Sequence, residues 1–216
     1  MLNFAEEIVL LGLDDATGEF RLLPPLALEH ALGGAVLMDL AIQNRIDTDL
    51  QNLTVISSDP TGDPVLDGVL QLLVAWGGSR PTREWLEALG VMGPKLKEQV
   101  LARLVERGVL RCEERKYLWV FPTRRYPTRD GVQRKEIRTR LRELLFSQDI
   151  PEQRDVVLIS LLNGCRLFRE IFTEAEFEQV KSRIAALSKM DLIGQAMTRI
   201  IRDIEYELSR IPELGI

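Results

Sequence analysis

Three aspartates recur at four-residue spacing in the stretch SSDPTGDPVLDGVL, at Asp59, Asp63 and Asp67. On a helix that spacing places carboxylates on one face, where a pair can share general acid and base work or hold a divalent cation. A calcium loop takes its oxygen ligands from a D-x-D-x-D-G pattern closed by a Glu, and this stretch lacks it. The same residues suit a structural role. Pro60 and Gly62 make a turn, Thr61 or Asp63 caps a helix starting at Pro64, and Asp67 sits in its first turn at the positive end of the dipole. Capping is the stronger reading.

Little else in the chain has the makings of chemistry. His30 is the single histidine, set inside the apolar run LALEHALGGAVLMDL, and no G-x-S-x-G elbow or phosphate-cradling glycine loop accompanies it. An isolated structural histidine is expected. The glycines of ALGG, Ala31 to Gly34, weaken a helix and so imply close packing against a neighbour. Cys112 and Cys165 stand far apart without any C-x-x-C or Cys/His ligand spacing, so neither a disulfide framework nor a metal or other cofactor is expected. With no constellation of nucleophile, base and oxyanion donors, the reading is a protein that is not an enzyme.

The elements that must position these residues are mostly helices. At 216 residues and 45% hydrophobic composition the chain suits one domain, 1–216, with a sizeable core. Apolar periodicity predicts helices over about 2–11, 26–44, 64–76, 81–89, 94–107, 131–146, 151–172 with a break near Gly164, 173–187 and 191–208. The last carries Ile193, Met197, Ile200 and Ile201 on one stripe. No apolar run reaches the roughly 20 residues of a membrane span, and the N-terminus has no basic region ahead of its apolar residues. The expected compartment is the cytoplasm, including the cytoplasmic face of a membrane.

One segment breaks the helical pattern. In GVLRCEERKYLWVFPTRRYP, Gly108 can end a helix, 109–112 and 117–121 read as two short strands, and EERK reads as a charged turn between them. Tyr117, Trp119 and Phe121 then share one face of the second strand, with Leu118 and Val120 on the other. Both faces are apolar, and one needs a cover from outside the hairpin.

Charge is distributed unevenly. Residues 1–79 hold twelve acids and two bases, residues 80–142 seventeen bases and eight acids, and residues 143–216 nine bases and thirteen acids, within a total of −5. A basic middle suggests an anionic partner, a lipid surface or a nucleic acid. Equally, its arginines can pair with the acidic first third inside the fold.

The opening stretch resembles the PTGD…LD segment of the Golgi phosphoprotein 3 family, peripheral membrane proteins that bind phosphatidylinositol 4-phosphate. EEIVLLGLDDATG (Glu6 to Gly18), GGAVLMDLAIQNRI (Gly33 to Ile46) and LARLVERGVL (Leu101 to Leu110) resemble further family segments in the same order. The resemblance implies a mainly α fold: a helical bundle encircled by amphipathic helices and loops, with one β-hairpin that takes part in self-association. Tyr117, Leu118, Trp119 and Phe121 are then the residues of a subunit contact.

It also implies a headgroup site. Eukaryotic members use a Trp and an Arg around the second helix and two Arg three apart on the helix before the hairpin, since guanidinium groups grip phosphate and Trp suits the membrane interface. Those positions fall at Pro24, Gly33, Pro94 and Lys97 here, and Lys97 alone is basic. Arg21, Lys95, Arg124, Arg125 and Arg129 are the auxiliary bases that can attract an anionic leaflet, with little headgroup selectivity. The eukaryotic arginine-rich N-terminal tail has no counterpart before the first helix, as expected of a prokaryotic-type relative. The leading expectation is a peripheral membrane scaffold. The alternative, from a helix running into GVLRCEERKYLWV, is a winged-helix-like nucleic-acid binder using the basic segment 95–142.

Overall fold

The computed structural model describes residues 2–49, 51–117 and 121–209, with the backbone alone at 115–117, 121–123, 205 and 207–209. The chain is mainly α. Helix α1 (Phe4–Gly12) opens on a capping box: the Asn3 side chain accepts from Glu6 N at 2.9 Å, and Glu6 accepts from Asn3 N at 2.9 Å. Helix α2 (Ala27–Ile42) is buried on almost every side, as a helix apolar all round must be. It is the central helix, and α1 packs along it.

A small sheet follows that the sequence reading did not foresee. Strands β1 (Ile46–Thr48) and β2 (Asn52–Val55) pair antiparallel around a turn in which Asp49 accepts from Gln51 N and Asn52 N, both at 2.7 Å. Helix α3 (Pro64–Ala75) intervenes before β3 (Ser79–Pro81) completes the order β1-β2-β3. Alternation of Ile46 and Leu53, both buried, with exposed Asp47 and Thr54 was the available signal. The third strand is exposed at every residue and is held by backbone pairing, so its side chains carry none.

Helices α4 (Thr82–Val91) and α5 (Gly93–Glu106) lie against α2. The contact is close because glycines line it. A Cβ at Gly33 would lie 2.9 Å from Leu89 Cβ, one at Gly90 would lie 2.5 Å from the His30 ring, and one at Gly93 would lie 2.6 Å from Glu29 Cα. The close packing expected of ALGG is present. At the base of α4, Trp85 is fully buried and stacks on half-exposed Trp76 at 5.8 Å, with the Arg80 guanidinium over both rings.

The hairpin exists, but its register corrects the sequence reading. Gly108, at φ +71°, ends α5 in the left-handed conformation, and Val109 and Leu110 go into the core instead of into a strand. Pairing starts later, between β4 (Glu113–Tyr117) and β5 (Phe121–Arg125). EERK is therefore strand and not turn. Opposite charges face each other across it, Glu113 against Arg125 and Glu114 against Arg124, which favours this register over one with Val109–Cys112. Leu118 and Trp119 lie outside the described residues, and Tyr117 and Phe121 pair through their backbones at the end of the ladder.

Four helices and one short turn of helix complete the bundle: α6 (Val132–Phe146), α7 (Gln153–Gly164), α8 (Phe168–Ile171), α9 (Glu174–Ser188) and α10 (Leu192–Ser209). The expected break falls after Gly164, where Arg166 turns left-handed at φ 58°. Both α7 and α10 pack on α2, and α10 buries Ile193, Met197, Ile200 and Ile201, the stripe read from its periodicity. Among the described residues no helix is long and apolar enough to cross a membrane.

Candidate headgroup site

The three aspartates of the opening stretch do not converge on a ligand; each is held by a different neighbour. Ser57 Oγ donates to Asp59 at 2.9 Å, and Asp63 caps α3 by accepting from Val65 N at 3.0 Å while it also binds Arg103. Asp67 accepts from both the amide and the hydroxyl of Thr61, each at 2.6 Å, and these bonds hold its carboxyl below the usual range. His30 is likewise structural: it is buried, and its Nδ1–H donates to Leu26 O at 2.9 Å, which fixes the tautomer.

A large part of the basic block, seven of its seventeen bases among the described residues, is answered by acids of the first third. Arg107 lies 2.7 Å from buried Glu6, and Arg103 bridges Glu6 at 3.2 Å to Asp63. Arg140 joins Glu7 to Asp155, each at 3.1 Å; Arg134 and Arg138 both hold Asp15; Arg125 holds Glu19 at 2.9 Å. These pairs connect α5, α6 and β5 to α1 and the loop after it. The helix that a winged-helix reading needs exposed has Val100, Leu101 and Leu104 buried, and the two arginines at its C-terminal end, Arg103 and Arg107, are committed to carboxylates.

Of the positions expected from the resemblance, Pro24 lies just before α2, Gly33 inside it, and Pro94 and Lys97 in the first turns of α5. Lys97 sits 4.0 Å from Glu29 and 5.2 Å from the centre of the Phe20 ring, so α5 is pinned to the loop that carries Pro24. Pro94 and Lys95 are exposed on the first turn of α5, and Pro24 is half-buried. Gly33 is buried against Leu89 and presents nothing to a ligand. Of the auxiliary bases, Arg21 bridges Asp14 at 3.4 Å and Glu170 at 3.3 Å, Arg124 lies 3.6 Å from Glu114, and Arg125 is taken by Glu19. Lys95 and Arg129 have no carboxylate within 4.0 Å among the described residues. Charge is therefore sparse at this end of the bundle.

Apolar surface is not. Leu22 is 97% exposed, Val91 84% and Leu26 51%. Leu26 stands at the N-cap of α2 with φ 59°, a conformation that costs a bulky residue energy, and the His30 bond to its carbonyl holds it there. His30 in turn packs on Gly90, next to Val91. Reasoning from sequence missed these three residues. Their signal was apolar side chains in the turn segments LLPPLAL and GVMGP, where the chain has no core to bury them in.

A profile of the Golgi phosphoprotein 3 (GPP34) family matches residues 4–204 of this chain. The chain belongs to that family. A vacuolar protein sorting-associated protein 74 from Eremothecium gossypii is 25% identical in an alignment covering 82% of this chain and 63% of that protein. The chain thus spans less than two thirds of this curated relative. Of the four positions that the resemblance assigns to headgroup binding in this Golgi phosphoprotein 3 family member, Pro24, Gly33 and Pro94 carry no charge and Lys97 carries one.

Proposed function

We propose that this family member is a non-enzymatic scaffold that docks reversibly on the face of a membrane through the junction where α2 and α5 begin. The observation that carries the reading is the exposure of Leu22, Leu26 and Val91 at that junction, beside the lysines of α5. Full burial of a large aliphatic side chain is worth about 1.5–3 kcal/mol, and a lysine near an anionic surface about 1 kcal/mol. Shallow insertion of the three side chains therefore outweighs the contribution of Lys95, because Lys97 is half-neutralised by Glu29. Docking of this kind depends weakly on salt and discriminates little between phosphatidylinositol 4-phosphate and other anionic lipids. A vacuolar sorting role is named for the relative, and a part in sorting membrane cargo fits the same scaffold. Self-association through β4 and β5 belongs to the proposal.

Co-sedimentation with neutral, phosphatidylserine and phosphatidylinositol 4-phosphate vesicles at two salt concentrations tests it, with Leu22→Asp/Val91→Asp alongside. Comparable binding to both anionic vesicles, lost in the double variant, is expected. Absence of binding to every vesicle would overturn the reading, and strong preference for phosphatidylinositol 4-phosphate would overturn its account of selectivity. Duplex DNA run in parallel addresses the basic segment 95–142.

A further inference from the structure

A second site lies away from these positions, in a cleft of about 420 Å³ between the end of α7 and helices α8, α9 and α10. Three arginines line it, Arg166, Arg169 and Arg202, together with Asn163, Phe177 and Thr198, and no carboxylate is among the described lining residues. The acids next to two of these arginines in sequence are committed elsewhere: Glu170 to Arg21 at 3.3 Å and Asp203 to Arg83 at 2.7 Å. Arg169 and Arg202 have no carboxylate within 4.0 Å among the described residues. In a chain where most central arginines are answered by acids, Arg169 and Arg202 share this cleft without one among the described residues.

The geometry of Arg169 adds a direction. Its guanidinium carbon stands 5.4 Å from the centre of the Phe177 ring. Stacking occupies one flat face and leaves the edge N–H donors available, the arrangement with which arginine grips a phosphate. Guanidinium groups sharing a cleft repel one another, and a dianion removes that repulsion while accepting from several donors at once.

We infer that the cleft between α7, α8, α9 and α10 binds a phosphate monoester through Arg169 and Arg202, with Arg166 at its rim. The monoester can stand on a small soluble molecule or on a lipid, and the chemistry recognised is the same. Calorimetric titration with glycerol 3-phosphate and co-sedimentation with phosphatidic acid vesicles, each on the wild-type chain and on Arg169→Gln, Arg202→Gln and the double variant, test the inference. Both arginines are exposed, so the variants keep the fold, which circular dichroism checks.

The expected result is a dissociation constant raised about tenfold for each arginine removed, as for loss of one charge-assisted contact. Loss confined to glycerol 3-phosphate identifies a soluble ligand, and loss of vesicle binding as well identifies a lipid. Failure of the wild type to bind either probe, or equal binding by the double variant, would overturn the inference. Leu22→Asp/Val91→Asp should bind glycerol 3-phosphate as the wild type does, so failure of the membrane reading and failure of this one are told apart.

Discussion

Replacing Glu6 by Gln should destabilise the fold more than its position near the chain start suggests. The carboxylate is buried, with Arg107 Nη1 2.7 Å from both oxygens, Arg103 Nε 3.2 Å from Oε1, and Asn3 N donating to Oε2 at 2.9 Å. Glutamine keeps the shape and an acceptor for Asn3 but removes the charge both guanidinium groups face. Removing one partner of a fully buried ion pair costs about 3–5 kcal/mol. Here Arg103 retains Asp63, and the arginine side chains are 32% and 35% exposed, so water screens part of the loss. A cost of about 2–3 kcal/mol follows, which at about 2–4 °C per kcal/mol for a domain of this size lowers Tm by about 5–10 °C. Calorimetry in low and high salt measures it, and the loss should change little with salt because the contact is largely shielded. A change of less than about 0.5 kcal/mol, the range of an ordinary surface substitution, would refute the claim that first-third acids hold the basic block in place.

Asp39 supplies a pH test. It is buried, accepts from Phe4 N at 3.0 Å, and burial pushes its carboxyl up to about 7 from an ordinary 3.8. Between those values the folded protein keeps a proton that the unfolded chain releases, so the group's contribution to stability is full below 3.8 and is lost as pH rises through about 7. Asp39→Asn should accordingly exceed the wild type in urea midpoint at pH 8 and approach it at pH 4; a difference independent of pH would count against the assignment. Gly93→Ala puts a Cβ 2.6 Å from Glu29 Cα, backbone that no rotamer change can clear. It should cost about 1–3 kcal/mol and weaken vesicle binding together, and an unaltered Tm would show that α2 and α5 can separate without loss.

Local signals account for what was legible in advance. The start of α3 followed from side chains next to the backbone they cap, Asp63 and Pro64, while the capping boxes of Asn3 with Glu6 at α1 and Thr173 with Glu176 at α9 were equally local signals that the sequence reading passed over. The buried stripe of α10 and the break after Gly164 came from periodicity and one glycine. Family resemblance pointed to the α2/α5 junction but not to what covers it, because exposed Leu22, Leu26 and Val91 look like core residues in any composition-based reading. The hairpin was found and misplaced, since a strand register depends on which cross-strand partners meet.

The sequence by itself determined a mainly helical chain, its caps, its central apolar helix and the family it belongs to, because each depends on residues a few positions apart or on an ordered set of short segments. Only the tertiary structure decided what the charges do. Glu6 meets Arg107, Glu7 meets Arg140 and Asp15 meets Arg134 across more than a hundred residues. Ion pairs form where packing brings side chains within reach, and a basic block read along the chain carries no information about which acid the fold places beside it.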